Sequence, residues 1–118
     1  MNDRSNLLGN VFISPRAIAT IASQSTTESY GIVGLAAKNL AEGLAQVLVK
    51  DPSLGVDVRF DDDAVQIDLY IIVEYGVRIK SVATSVQENV RYAVEKAVGL
   101  PVTQVNVHIR GLRISNPD

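Results

Sequence analysis

His108 is the only histidine of this 118-residue chain, and histidine is the side chain that ordinarily titrates near neutrality. It lies in Val105-Asn106-Val107-His108-Ile109-Arg110, where polar and apolar residues alternate, so Asn106, His108 and Arg110 share one face of a strand. A second alternating run, Val65 to Glu74, places Gln66, Asp68 and Tyr70 on one face. A third, Val56 to Phe60, turns Asp57 and Arg59 away from its valines. Brought together, His108, Asp68 and Arg110 would make an acid–base centre, in which the carboxylate orients the imidazole. The plainer reading, a solvated histidine on a strand, is the stronger one, because no nucleophile stands at a fixed spacing from it.

Other chemistry is excluded more directly. Cysteine is absent, which removes disulfides, thiolate metal sites and thiol nucleophiles, and one histidine cannot make a two-histidine metal site. Asp61-Asp62-Asp63 lacks the spaced ligands and closing glutamate of a calcium loop, and reads as a solvated hairpin turn. No nucleophile elbow, Walker pattern or dinucleotide fingerprint occurs. No catalytic residue, metal or cofactor is therefore assigned.

Gly31-Ile32-Val33-Gly34 matches the G-x-x-G of KH nucleic-acid domains, where that loop clamps a phosphate backbone. Gly31, Gly34 and the nearest base, Lys38, form the alternative, nucleic-acid reading. Its middle residues are apolar, and a net charge of -2 with a pI near 5.3 lacks the electrostatic term such binding needs. A buried turn is the stronger reading, and nucleic acid is not an expected partner.

The elements that must position these residues follow from pattern. With 47% hydrophobic and 20% charged residues the chain is globular rather than disordered, and its length fits one domain. That domain is expected over residues 9–114, with flexible tails at 1–8 and 115–118. The start carries no secretory signal pattern and no stretch is long enough to span a membrane, so a cytoplasmic location is expected.

Val11-Phe12-Ile13 reads as a short strand. Ser14-Pro15 then opens a helix with Ala17, Ile18, Ile21 and Ala22 on its apolar face, closed near Tyr30-Gly31. Gly31 to Gly34 reads as a brief strand. Apolar spacing over Leu35–Val49 predicts a helix, either covering the core or meeting a partner or second copy. A hairpin follows over Val56–Glu74, turning at Asp61-Asp62-Asp63. A long helix carries Ile79, Val82, Ala83, Val86, Val90, Ala93, Val94 and Ala97, and ends at Gly99 with Pro101 behind it. The last strand is centred on Val105–Ile109. This order predicts an α+β, two-layer sandwich: a mostly antiparallel sheet with helices on one face. The other face would carry Arg59, Asp68, Tyr70, Asn106, His108 and Arg110, the candidate partner-binding surface.

Several stretches resemble one family. Gly9-Asn10-Val11-Phe12-Ile13-Ser14, Tyr30 to Ala36, Ile67 to Gly76, Val86-Gln87-Glu88-Asn89-Val90, Gly99-Leu100 and Val105 to Gly111 are similar in order to the alkaline shock protein family of Gram-positive bacteria. Arg113-Ile114-Ser115-Asn116-Pro117 resembles its YloU-like branch, and the likeness runs from about Gly9 to Pro117. The resemblance implies a cytoplasmic, non-enzymatic protein tied to alkaline or cell-envelope stress. It also implies a protein partner with its own membrane anchor, self-association, and a link to lipid metabolism. It supplies no catalytic residues. The polar stretch Ser25-Thr26-Thr27-Glu28 departs from the family pattern and predicts an early end to the first helix.

Overall fold

The computed structural model describes residues 14–38 and 48–114. Its first helix, α1, spans Pro15–Thr27, where Ser14 Oγ accepts from the Ala17 amide at 3.0 Å and Pro15 occupies the first turn. The helix does not stop early. Thr26 is fully buried and its hydroxyl donates to the Ala22 carbonyl at 2.7 Å, while Thr27 and Ser29 donate to Ser23 and Ser25. Each hydroxyl finds a carbonyl within the same helix, so these polar residues need no solvent. The buried stripe is Ile18, Ala19, Ala22 and Thr26; Ala17, expected inside, is exposed, and Ile21 is half-buried.

Gly31, at φ 85, turns the chain into β1, Ile32–Ala36. The expected strand therefore exists and extends to Ala36. The predicted helix over 35–49 is corrected at both ends, since Leu35 and Ala36 belong to β1 while Leu48 and Val49 form β2. The two strands pair antiparallel, Leu35 opposite Val49 and Ala36 opposite Leu48. The middle of that predicted helix, and the strand expected at Val11–Ile13, lie outside the described residues. A single turn, α2, spans Pro52–Gly55, with the Asp51 carboxylate accepting from the Ser53 amide at 3.0 Å.

The hairpin is as read. β3, Val56–Asp61, and β4, Ala64–Glu74, meet through Asp62 and Asp63, with Asp62 at φ 58. A 20-residue helix, α3, spans Ile79–Val98 and leads to β5, Val102–Arg113. Val82, Val86, Val90, Val94 and Val98 make its buried ridge, while Ile79 is largely exposed. Gly99, at φ 76, ends α3 and its amide bonds the Glu95 carbonyl at 2.8 Å. Arg91 and Glu95 reach the start of β5: Arg91 Nε donates to the Val102 carbonyl and Glu95 accepts the Val102 amide.

β4 is the axis of the sheet. β3 pairs antiparallel with residues 64–69 and β1 with residues 71–73 of β4, so the two share one edge. β5 pairs with residues 65–74 and overlaps both, so it takes the other edge, running parallel. A parallel neighbour needs a long crossover, and α3 supplies it. The class is α+β, with three antiparallel pairings and one parallel. Val65, Ile67, Leu69, Ile71 and Val73 point from β4 into a core closed by α1 and the valine ridge of α3. No helix among the described residues is long and apolar enough to cross a membrane.

Candidate interaction surface

The second face of the sheet gathers all six residues that strand alternation singled out. Arg59 stands opposite Gln66, Asp57 opposite Asp68, Asp68 beside Asn106, and Tyr70 beside His108. Each strand contributes every second residue, so the polar set lies opposite the core. One residue of this face departs from the pattern: Ile72 is fully buried, in register with Gly34 on one side and Gly111 on the other.

Asp68 is the hub. Its Oδ1 accepts from Asn106 Nδ2 at 3.1 Å and lies 3.0 Å from His108 Nε2. Arg59 Nη2 lies 2.9 Å from Oδ2, an ion-pair contact without hydrogen-bond direction, so Oδ2 accepts no hydrogen bond. The carboxylate is 7% exposed, and this burial alone would push its pKa up. Hydrogen bonds from His108 and Asn106, with the Arg59 charge, outweigh the burial and hold the pKa below the ordinary aspartate value. Asp68 is therefore ionised at neutral pH and can only accept, which puts the proton of a neutral His108 on Nε2.

The Tyr70 ring stacks on the His108 imidazole, centroids 4.6 Å apart and planes within 10°. The Arg110 guanidinium lies 4.9 Å from the same ring, at cation–π distance. Arg110 sits where β5 slips one register position, between the Ile71–Ile109 and Ile72–Gly111 pairs. Its Nη2 donates to the Lys38 carbonyl at 3.4 Å, and its buried Nε has no hydrogen-bond partner among the described residues. Burial, then the carboxylates of Asp68 and Asp57, push the Tyr70 pKa up, so its phenol stays a protonated donor.

Chemically, this arrangement orients an imidazole and presents donors. Among the contacts described, it places no nucleophile at the imidazole. Lys38 and Asp57 complete its rim, Nζ to Oδ1 at 3.6 Å. The parity of β3 marks Asp57 for this face, whereas Lys38 follows the end of β1, a strand end that spacing did not show, and its amide donates to the Leu54 carbonyl at 2.7 Å.

The G-x-x-G reading fares differently. Ile32 and Gly34 lie in β1, paired with Val73 and Ile72 of β4, and Ile32 is buried. A Cβ on Gly34 would come within 3.0 Å of the Leu48 side chain. Gly31–Gly34 is a turn and a strand, not an open loop before a helix, and Lys38 pairs with Asp57 instead of extending such a loop. Asp61, Asp62 and Asp63 occupy the hairpin end, away from Asp68. A cleft of about 440 Å³, lined by Tyr30, Val77, Arg78, Ser81 and Ser85 among others, opens by the start of α3 and shares no residue with the polar face.

Known proteins place the chain. It is 43% identical over 111 residues to the uncharacterized protein YloU of Bacillus subtilis (strain 168), covering 92% of each. It is 35% identical over 114 residues to YqhY of the same organism, covering 96% of this chain and 84% of that one. Spy1614 of Streptococcus pyogenes serotype M6 is 32% identical over 108 residues, 90% of this chain and 89% of its own. Among solved structures, a MamM-CTD variant aligns at TM-score 0.52 over 83% of this chain and 98% of its own. At 13% identity that likeness concerns the fold alone. A family model matches residues 3–114, which take in every element described above, and the chain belongs to the alkaline shock protein 23 family, with its cell envelope-related function.

Proposed function

We propose that this chain is a non-enzymatic interaction protein of the cell envelope, which works by holding a protein partner on the second face of its sheet. The observation that carries the reading is the build of that face. Arg59, Asp68, Tyr70, Asn106, His108 and Arg110 are joined by hydrogen bonds, an ion pair and ring stacking, yet neither α1 nor α3 packs over them. Polar side chains fixed in advance lose little freedom on binding, which favours recognition. A tyrosine and two arginines are also the residue types that most often dominate an interface. A partner anchored in the membrane would bring the chain to the envelope.

The test is affinity capture from cells after mild crosslinking, comparing the native chain with Tyr70→Ala/Arg110→Ala. The expected result is loss of a partner recovered with the native chain, while the melting temperature falls by no more than about 5 °C, as for side chains outside the core. Retention of every partner by the double variant overturns the reading. Recovery of ribosomal proteins in a nuclease-sensitive manner would move the function to nucleic acid.

A further inference from the structure

The polar face sorts its charges by depth. Asp68, the central carboxylate, is 7% exposed, with one oxygen taken by Asn106 and His108 and the other against Arg59. The groups around it reach outward: the Arg59 side chain is 50% exposed and that of His108 41%. The second carboxylate, Asp57, is neutralised at the rim by Lys38. Arg110 lies on the Tyr70 ring, faces no carboxylate among the described contacts, and keeps an unpartnered Nε. Around Tyr70, at the centre of the face, Lys38, Arg59 and Arg110 stand against Asp57 and Asp68, both already engaged, while Asp61 and Glu74 share the parity of the face at the strand ends. What the face offers a ligand is chiefly the half-exposed Arg59 guanidinium, with Arg110 and the Tyr70 phenol beside it. This happens on a chain whose overall charge is -2.

We propose that the second face takes a carboxylate-bearing segment of a protein partner, an acidic peptide stretch laid across β3, β4 and β5. The inference rests on the reading of this face as the recognition surface and names the chemistry it selects. Guanidinium groups bind carboxylates through paired, charge-assisted hydrogen bonds. Asp68 positions them: it draws Arg59 over the sheet and fixes the ring of His108. A peptide suits the site better than a polynucleotide. Three cations neutralise too few phosphates to hold a nucleic acid at physiological salt, whereas a few well-oriented donors suffice for one or two carboxylates.

The experiment uses three fluorescein-labelled, capped peptides of equal length: alternating glycine–glutamate, glycine–glutamine and glycine–lysine. Anisotropy at low salt measures affinity, and amide chemical shifts of the full-length native chain locate binding. The glutamate peptide should bind about tenfold tighter than the glutamine peptide, the lysine peptide should not bind, and added salt should weaken the complex. Shifts should fall on Asp57–Arg59, Gln66–Tyr70 and Asn106–Arg110. Arg59→Gln and Arg110→Gln should each weaken the glutamate peptide about three- to tenfold.

Equal binding of the glutamate and glutamine peptides, or shifts centred elsewhere, overturns the proposal; the shift map on the native chain decides this even if a variant misfolds. Single-stranded RNA or phosphatidylglycerol vesicles that bind the face more tightly than the glutamate peptide also overturn it. The two readings fail separately. Capture lost in Tyr70→Ala/Arg110→Ala without glutamate selectivity removes only the acidic partner, while capture unchanged beside glutamate selectivity removes the recognition role.

Discussion

Asp68 is the residue on which the polar face turns, and its environment sets opposing terms against each other. Burial disfavours the charge, but His108, Asn106 and Arg59 favour it more, and the pKa lies below the ordinary value. Asp68→Asn removes that charge and aims an amide donor at groups that are themselves donors. A hydrogen bond to a buried charged group contributes about 1.5–3 kcal/mol, so the variant should lose about 2 kcal/mol near neutrality. Little of this comes from Arg59, whose half-exposed side chain is screened by water. Because the folded pKa is the depressed one, the stabilisation is complete above the unfolded value of about 4 and disappears as pH falls through the folded value. Urea unfolding across a pH series should show the native chain and Asp68→Asn converging in acid. A gap that persists unchanged in strong acid would assign the loss to packing instead of charge.

At the scale of elements, two glycines separate backbone strain from crowding. Gly31 and Gly99 both have positive φ, 85 and 76, and each ends a helical region. A Cβ on Gly99 meets nothing within 4 Å, whereas one on Gly31 would stand 2.8 Å from Val82 Cγ2. Gly99→Ala should therefore cost only the left-handed strain, about 1–2 kcal/mol. Gly31→Ala adds overpacking against α3 and should cost about 2–4 kcal/mol in all. Equal losses on thermal unfolding would mean that Val82 moves aside freely. The C-terminal stop at Gly99, the hairpin and the parity of β3, β4 and β5 were legible because each depends on near neighbours in the chain. The six residues of the polar face were legible for the same reason, since alternation assigns a side of the sheet before any pairing is known. Leu35, Ala36, Leu48 and Val49 were not, because their apolar spacing fits a helix while their partners are strands: Leu35 faces Ile71 of β4 and Val49 of β2. Pairing with β4, distant in sequence, overrides local periodicity there. Ala17 and Thr26 misled in another way. Small residues carry little hydrophobic signal, and which side of α1 is covered depends on where α3 lies.

At the scale of the whole molecule, the architecture is asymmetric: the main core, α1 and α3 lie on one face of β4, and the polar network around Asp68 lies on the other. β4 pairs with β1, β3 and β5, more strands than any other among the described residues, and Val65, Ile67, Leu69, Ile71 and Val73 have no exposed surface. Its amides cannot open without separating β5 from the sheet or β1 and β3 from it, and either event strips α1 and α3 of their core. β2 is the contrary case, two residues paired among the described residues with β1 alone, with Leu48 partly exposed. Native-state hydrogen exchange should therefore rank the sheet. The amides of Ile67, Leu69 and Ile71 should exchange only through global unfolding, with a free energy of about 5–15 kcal/mol that falls with urea at the global slope. Val49 should exchange by local opening, at a free energy several kcal/mol lower and nearly independent of urea. A β4 that exchanged at two distinct free energies, one for the half beside β3 and another for the half beside β1, would divide the sheet into two cooperative units. The polar face crosses that division at Tyr70, so such a result would also mean that Arg59 and Arg110 report on different units. With a single unit, a ligand bound at either arginine raises the protection of the whole of β4 by the same amount, because anything that binds only the folded state stabilises every amide that needs global unfolding to exchange.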